Sequence, residues 1–299
     1  MAGRQNRPLP GIGLMMAAVG LLSIMDMILK IMMTAGHSVF QLLFLRSAII
    51  AILFAAVLPR WGGIAALRTT RPALLLLRSL AGAGGALLFF ASLRYLPLAD
   101  AIVVAFGATF MMTALSVPLL KETVGRQRWL ATIVGFIGVL IAVRPGGTFH
   151  PAALLAVGGS FCYALMMVLG RWLGTSEPSY RQVFYFNIAL GLMTLPMALT
   201  IWVPMTSMDM VLLGSMSALA FAGHFCLTAA FVQAPVGVVA PLEYTALAWA
   251  TALGYLVWGD VPDAAVLGGA AIIVLCGLYI LRQESRQRTP PAGNDATAV

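Results

Sequence analysis

Ten apolar runs follow one another along the chain; nine of them are long enough to cross a bilayer as a helix, and the fifth, residues 129–143, is slightly shorter. A helix that crosses a bilayer needs about 17–25 mostly apolar residues. The runs cover residues 11–33, 38–58, 73–93, 98–120, 129–143, 152–171, 183–203, 210–231, 236–258 and 263–281. Short connections containing proline or glycine separate them, which leaves little room for a domain outside the membrane. The pattern predicts an all-α membrane protein with ten transmembrane helices.

The composition argues against other classes of protein. Apolar residues make up 61% of the chain and charged residues 9%, whereas an ordinary soluble domain has about 45–50% and 25%. The net charge is +8, but the basic residues stand singly between apolar runs and form no stripe suited to nucleic acid. The sequence therefore predicts a lipid bilayer as the surroundings and no nucleic-acid partner.

The distribution of lysine and arginine predicts the orientation. Thirteen of these residues flank the runs on one side of the membrane, and only Arg94 and Arg144 flank them on the other. Cytoplasmic connections carry the excess of basic residues, so both termini are expected in the cytoplasm. Residues 1–10 are then a cytoplasmic N-terminus, and residues 282–299 are expected to form a disordered cytoplasmic tail.

The chain contains an internal repeat. A shift of 138 residues aligns residues 76–122 with 214–260 without a gap, and eight of the 47 positions are identical. The identities include Ser79/Ser217, Gly85/Gly223 and Pro97/Pro235. Since each unit has five helices, an odd number, the second copy must enter the membrane from the opposite side. We therefore predict two inverted five-helix repeats, residues 11–143 and 152–281, around a central cavity.

Ionisable residues inside the first predicted hairpin form one candidate cluster. A charge at the bilayer centre costs about 3 kcal/mol, so each such residue needs a partner or a water-filled cavity. Asp26 and Arg46 lie at matching depths, and Lys30 follows Asp26 by one helical turn. We expect these three residues to form a structural ion network, with contact to a substrate as the alternative.

His224 and Glu243 form a second candidate pair. Each lies about 10 Å deep from the same side, on consecutive antiparallel helices. An imidazole and a carboxylate there could bind an ammonium group or pass a proton, so proton coupling stays open. The sequence predicts that the two meet beside the cavity near Phe221 and Tyr244, and a purely structural hydrogen bond is the alternative.

Other residues complete the predicted site. The candidate substrate-binding residues are His224, Glu243, Tyr244, Phe221, Phe106, Phe110, Tyr163 and Ser79. Aromatic side chains suit an apolar pocket for amphipathic ligands, although packing between helices is the alternative role for each of them. Pro118 and Pro241 each remove a backbone hydrogen bond from a predicted helix. They are candidate hinges, with static kinks as the alternative.

Motifs for catalysis, metal binding or nucleotide binding are missing from the sequence. The three histidines lack HExxH spacing, the three cysteines stand singly, and no P-loop occurs. We expect no catalytic residue, no metal and no cofactor, and a membrane-embedded enzyme is the weaker alternative. Without a nucleotide site, any transport must draw its energy from gradients.

Two segments, residues 93–101 and 230–238, each open a helix that closes on an acidic residue, Glu122 or Asp260, before a glycine-bearing final helix. This arrangement resembles the ten-helix EamA pattern of the drug/metabolite transporter superfamily, and within it the YddG-type bacterial inner-membrane exporters. The resemblance implies a basket of helices around a central cavity and export of aromatic and other amino acids, or related metabolites, by alternating access. A multidrug or organic-cation exporter of the same fold is the alternative.

Overall fold

The computed structural model describes residues 8–121, 123–143, 150–173, 177–233 and 240–287. Within these ranges the chain forms ten α-helices and no β-strand. The helices are α1 (Pro8–Thr34), α2 (Val39–Val57), α3 (Pro72–Ser92), α4 (Leu98–Leu120), α5 (Arg126–Val143), α6 (Ala152–Leu173), α7 (Ser179–Thr200), α8 (Ser207–Gln233), α9 (Thr245–Trp258) and α10 (Ala264–Gln287). Short 3₁₀ segments, Leu58–Trp61 and Gly63–Leu67, lie in the connection between α2 and α3.

The lengths of the helices fit a membrane protein. Each of α1 to α8 is long and apolar enough to cross a bilayer, and α10 contains the shorter apolar segment Ala264–Ile280. Proline marks several helix starts, as the sequence predicts: Pro72 opens α3, and Pro97 and Pro178 directly precede α4 and α7. Proline is favoured there because its missing N–H has no helical partner to lose. The predicted all-α, ten-helix fold is confirmed.

The ninth and tenth helices differ in their bounds from the predicted runs. Ala240–Tyr244 form a 3₁₀ turn, so α9 begins only at Thr245. Pro241 therefore lies in this turn rather than inside an α-helix, whereas Pro118 does lie inside α4. The helix α10 continues to Gln287, past the predicted end at residue 281. Residues 1–7, 234–239 and 288–299, including most of the predicted tail, lie outside the described residues.

The packing of the helices follows the repeat. The contact between α1 and α8 corresponds, under the repeat, to the contact between α6 and α3. In the same way, the contact between α4 and α6 corresponds to the contact between α9 and α1. Three pairs related by the repeat pack directly on each other, namely α2 with α7, α4 with α9 and α5 with α10. Exchanging each helix with the one five places later thus leaves these contacts unchanged. This is the arrangement expected of two inverted five-helix repeats around a pseudo-twofold axis.

Glycines allow the closest helix crossings. A Cβ atom built on Gly85 of α3 would lie 3.2 Å from the Gly159 carbonyl oxygen of α6. Likewise, a Cβ atom on Gly138 of α5 would lie 3.0 Å from the Gly269 carbonyl oxygen of α10. Gly223, the repeat partner of Gly85, faces α1 in the equivalent crossing. Because membrane helices gain little from the hydrophobic effect between them, close backbone packing of this kind stabilises their association.

One end of the bundle, where α1 finishes, is held together by polar contacts; we call it the far end. Lys30 donates a hydrogen bond to the Leu96 carbonyl oxygen at 2.9 Å, and its Nζ lies 3.5 Å from Asp260 Oδ2. His37 Nε2 lies 3.2 Å from Asp209 Oδ2. Lys30 and His37 belong to the first repeat and the two aspartates follow or open helices of the second. These contacts therefore join the two repeats at the far end.

The opposite end, where α1 begins, carries most of the arginines outside the helices; we call it the basic end. Here Glu177 accepts hydrogen bonds from the Thr69 hydroxyl, the Thr70 N–H at 3.1 Å and Arg181 Nη1 at 2.7 Å. Burial raises the pKa of the Glu177 carboxyl, but these hydrogen bonds outweigh it and hold the pKa below its usual 4.5. The α6–α7 connection is thereby tied to the α2–α3 connection.

Candidate functional site

A cavity of about 320 Å³ lies among α4, α5, α6, α10 and the 3₁₀ turn before α9. It is lined by Phe106, Thr109, Met112, Thr113, Ser116, Arg128, Met167, Val168, Arg171, Glu243, Tyr244, Gly277 and Ile280. Arg128 and Arg171 lie near the ends of α5 and α6 that face the basic end. The cavity therefore lies toward the basic end, and its wall combines apolar, aromatic and charged groups.

An aromatic pair stands where the two repeats meet in this cavity. The rings of Phe106 and Tyr244 have centroids 5.1 Å apart, and the 138-residue shift aligns these two positions with each other. Residues related by a twofold axis can touch only close to that axis, so the pair locates the axis at the cavity wall. Gly277 of α10 makes this possible, because a Cβ atom there would overlap the Tyr244 hydroxyl.

The carboxyl group of Glu243 faces this cavity and is exposed. Two phenols, those of Tyr163 and Tyr244, lie within electrostatic range of it. Tyr163 of α6, whose side chain is 44% exposed, is also within range of the Arg78 guanidinium. The carboxylate of Glu243 and the guanidinium of Arg78 thus both lie within electrostatic range of Tyr163. We call Arg78, Tyr163, Glu243 and Tyr244 the Glu243 cluster.

Arg78 points between helices rather than toward lipid. Its Nη1 lies 3.5 Å from the Gln182 carbonyl oxygen of α7. A Cβ atom on Gly170 of α6 would lie 2.9 Å from its Nε, so the absence of a side chain at Gly170 makes room for the guanidinium. Arg78 is therefore placed among α3, α6 and α7.

A second cluster joins α1, α2 and α8. Arg46 is buried, with Nη1 3.9 Å from the Met25 sulfur, and its guanidinium lies within electrostatic range of both Asp26 and His224. We call Asp26, Arg46 and His224 the Arg46 cluster. The structure thus places His224 with Arg46 and Glu243 with the tyrosines, in two different clusters. Matched depth along a helix does not fix which faces two helices turn toward each other.

Comparison with known proteins identifies the family. The model of the EamA-like transporter family matches residues 9–144, which hold the first five helices. A riboflavin transporter of Vibrio cholerae is 31% identical over 227 residues, which are 74% of this chain and 75% of that protein. The chain belongs to the EamA-like transporter family. It is thus a multi-span membrane transporter of small molecules.

Other relatives match over most of the chain. An S-adenosylmethionine uptake transporter of Rickettsia prowazekii is 29% identical over 88% of this chain and 90% of that protein. The pseudopaline exporter CntI of Pseudomonas aeruginosa is 29% identical over 81% of this chain and 86% of that protein. A crystal structure with 18% identity superposes with a TM-score of 0.63 over 93% of this chain and 99% of its own, which supports the fold alone.

In this EamA-like transporter, several predicted site residues do not line the cavity described above. Phe110 is 1% exposed, and its ring occupies the space that a side chain on Gly135 of α5 would need. Ser79 is buried and donates its hydroxyl proton to the Leu75 carbonyl oxygen, just as its repeat partner Ser217 donates to Leu213. Both are packing positions. Phe221 is 55% exposed on the same helix as His224.

Lys30 has a different partner from the one the sequence suggests. It pairs with Asp260 at the far end, and the ring of Trp258 lies 4.6 Å from its Nζ. Asp26, one turn earlier, faces Arg46 instead. The expected network of three is therefore two separate groups, because Asp260 lies more than 200 residues away and only the fold brings it to α1.

Sequence reasoning missed the arginines of the cavity. In the sequence, Arg128 and Arg171 served only as basic residues that flank the apolar runs on one side of the membrane. The structure brings Arg128 of α5 and both Gly277 and Ile280 of α10 to the cavity wall. The available signal was the repeat itself, since it pairs α5 with α10.

Proposed function

We propose that this transporter exports amino acids, aromatic and other apolar ones, or related amphipathic metabolites, across the bacterial inner membrane by alternating access. The observation that carries the proposal is the Glu243 cluster beside the Phe106–Tyr244 pair. The wall of the cavity next to this cluster offers a carboxylate, guanidinium groups and aromatic faces to a small molecule. An amino acid with an aromatic side chain would use all three kinds of contact.

Each group would have a distinct role in binding such a substrate. The Glu243 carboxylate would accept hydrogen bonds from an ammonium group, and the rings of Phe106 and Tyr244 would pack on an apolar side chain. Charge-assisted hydrogen bonds of this kind are the stronger ones in proteins. Tyr163, which lies within electrostatic range of both Glu243 and Arg78, would contact the polar backbone of the substrate. We assign Phe221 and His224, which both lie on α8, to the path that the substrate takes through the protein.

The two ends of the bundle support alternating access. Contacts between the repeats hold the far end together, while the cavity lies toward the basic end. Under the positive-inside rule the basic end is cytoplasmic, so both termini are placed in the cytoplasm and the cavity receives its substrate from there. Pro118 within α4 and Pro241 before α9 are the proposed hinges, since α4 and α9 are repeat partners that pack at the axis.

Transport by purified protein tests the proposal. The protein is reconstituted in liposomes that contain one unlabelled amino acid at a time. Uptake of the same amino acid in labelled form, in exchange for the unlabelled one, is then measured. We expect exchange with at least one aromatic or apolar amino acid, lowered at least tenfold by Glu243→Gln. Phe110→Leu, a change at a buried residue away from the cavity, is the matched control and should keep its exchange rate. Failure with the whole amino-acid panel would refute the proposed substrate class.

An exporter of organic cations is the second candidate. It is favoured by one observation, that Glu243 stands among aromatic rings, as cation-binding sites do. The same liposomes distinguish the two. Exchange of a quaternary ammonium compound, with no exchange of any amino acid, would favour the second candidate.

A further inference from the structure

Arg46 occupies an unusual position for an arginine. Its residue is 6% exposed in the middle of α2, and its guanidinium carbon lies 6.0 Å from the centre of the Phe90 ring of α3. Its Nη1 lies 3.9 Å from the sulfur of Met25 on α1. The side chain therefore points into the bundle between α1 and α3, and it does not reach for the membrane surface.

Most of the hydrogen-bonding capacity of Arg46 is unused. A guanidinium carries five N–H donors in a planar fork. Within the described part of the chain, Nη1 donates a hydrogen bond to the Met25 thioether, which is a weak acceptor. The Nε atom is buried and has no hydrogen-bond partner there. A buried charged donor without an acceptor is costly. A ligand that supplied acceptor oxygens would remove that cost.

The surroundings of Arg46 give it a counter-charge. Asp26, the residue after Met25, provides the negative charge within electrostatic range. His224 of α8 is also within range, and this residue is exposed although Arg46 itself is buried. The guanidinium therefore lies close to a residue of α8 that has exposed surface.

We propose that Arg46 binds the carboxylate group of the substrate during its passage, with Asp26 as the counter-ion that holds the guanidinium when no substrate is present. A carboxylate matches the guanidinium fork with two parallel hydrogen bonds, which lysine cannot form. The inference deepens the proposed function and rests on it. It assigns recognition of the carboxylate group to the Arg46 cluster and recognition of the ammonium group to the Glu243 cluster, at two successive points of the passage.

This assignment is tested with three probes that differ in the charged groups they carry. L-phenylalanine carries both charged groups, phenethylamine lacks the carboxylate, and 3-phenylpropionate lacks the ammonium. Binding of each is measured on the full-length protein in lipid nanodiscs. We expect Arg46→Gln to weaken phenylalanine and 3-phenylpropionate at least tenfold and to leave phenethylamine within twofold. Glu243→Gln should do the converse, weakening phenylalanine and phenethylamine.

Asp26 supplies a change of the opposite sign. Asp26→Asn removes the competing carboxylate, so 3-phenylpropionate should bind more tightly, by at least threefold. A residue with only a packing role would not produce a gain. The double variant Asp26→Asn/Arg46→Gln leaves no lone buried charge, which protects its folding, and should lose the carboxylate probes as the single Arg46 variant does.

Each outcome decides the matter. Unchanged binding of 3-phenylpropionate to a folded Arg46→Gln or double variant overturns the assignment, as does an equal loss of all three probes. If wild-type protein binds phenethylamine as tightly as phenylalanine, the assignment is overturned without any variant, while the proposed transport of amphipathic compounds stands. If the wild type binds none of the three, this inference is overturned, whereas the proposed function is decided separately by the exchange assay with the whole amino-acid panel.

Discussion

Replacement of Lys30 by Met tests whether the far end is held closed by one side chain. Met keeps the apolar stem of the lysine but removes its charge, so the packing on α1 is largely preserved. The change removes the hydrogen bond to the Leu96 carbonyl oxygen, the 3.5 Å ion pair with Asp260 and the contact with the Trp258 ring. These contacts link α1 to both the α3–α4 and the α9–α10 connections.

The size of the effect follows from the surroundings of each contact. A hydrogen bond from a charged donor contributes about 1.5–3 kcal/mol, and Lys30 is only 5% exposed. The Asp260 side chain is 32% exposed, so its ion pair adds no more than about 1 kcal/mol. We therefore expect Lys30→Met to lower the free energy of unfolding by about 3 kcal/mol. Asp260→Asn should lower it by about 1 kcal/mol.

Equilibrium unfolding in mixed detergent micelles measures both variants. Lys121, the other lysine of the chain, is exposed at the end of α4, so Lys121→Met is the matched control. It should change stability by less than about 0.5 kcal/mol. In addition, a cysteine at Leu96 should react faster with a membrane-impermeant thiol reagent in the Lys30→Met background. If Lys30→Met matches Lys121→Met in both measurements, Lys30 does not hold the far end.

Three further predictions follow from the fold. Gly269→Ala should destabilise the protein by about 1–3 kcal/mol because the new Cβ would press on the backbone of α5. Gly268→Ala places its Cβ in open space and should stabilise the protein by about 0.5–1 kcal/mol. Equal effects at the two sites would contradict the close crossing of α5 and α10. The Glu177 pKa is lowered on folding, so its contribution to stability is complete above pH 4.5 and is lost as the pH falls below that value. Glu177→Gln should remove this loss of stability at acid pH. If the variant unfolds with the same pH dependence as the wild type, Glu177 does not make this contribution. A reporter fused at Gly36 should lie in the periplasm, and a reporter fused at Gly125 should lie in the cytoplasm. If both lie on the same side of the membrane, the predicted orientation is wrong.

The notion of two related halves was accessible to reasoning on the sequence because it depends on local properties. Run length sets the number of helices, and the odd number of helices in a repeat unit sets the inversion. The 138-residue shift even aligned Phe106 with Tyr244, the two rings that meet at the axis. Residues such as Ser79 and Phe110 were harder to judge, since an apolar helix in a membrane carries little periodicity to show which face looks inward.

The sequence by itself determined the class of protein, the helices and the inverted repeat, because the hydrophobic thickness of a bilayer and the hydrogen-bonding needs of the backbone act on each segment separately. Only the tertiary structure decided the partners. It paired Lys30 with Asp260 instead of Asp26, placed His224 beside Arg46 instead of Glu243, and brought Arg128 and Arg171 to the cavity. The reason is that depth in the membrane follows from position along a helix, whereas contact depends on helix rotation and neighbours. Both are fixed by close packing between segments far apart in the chain.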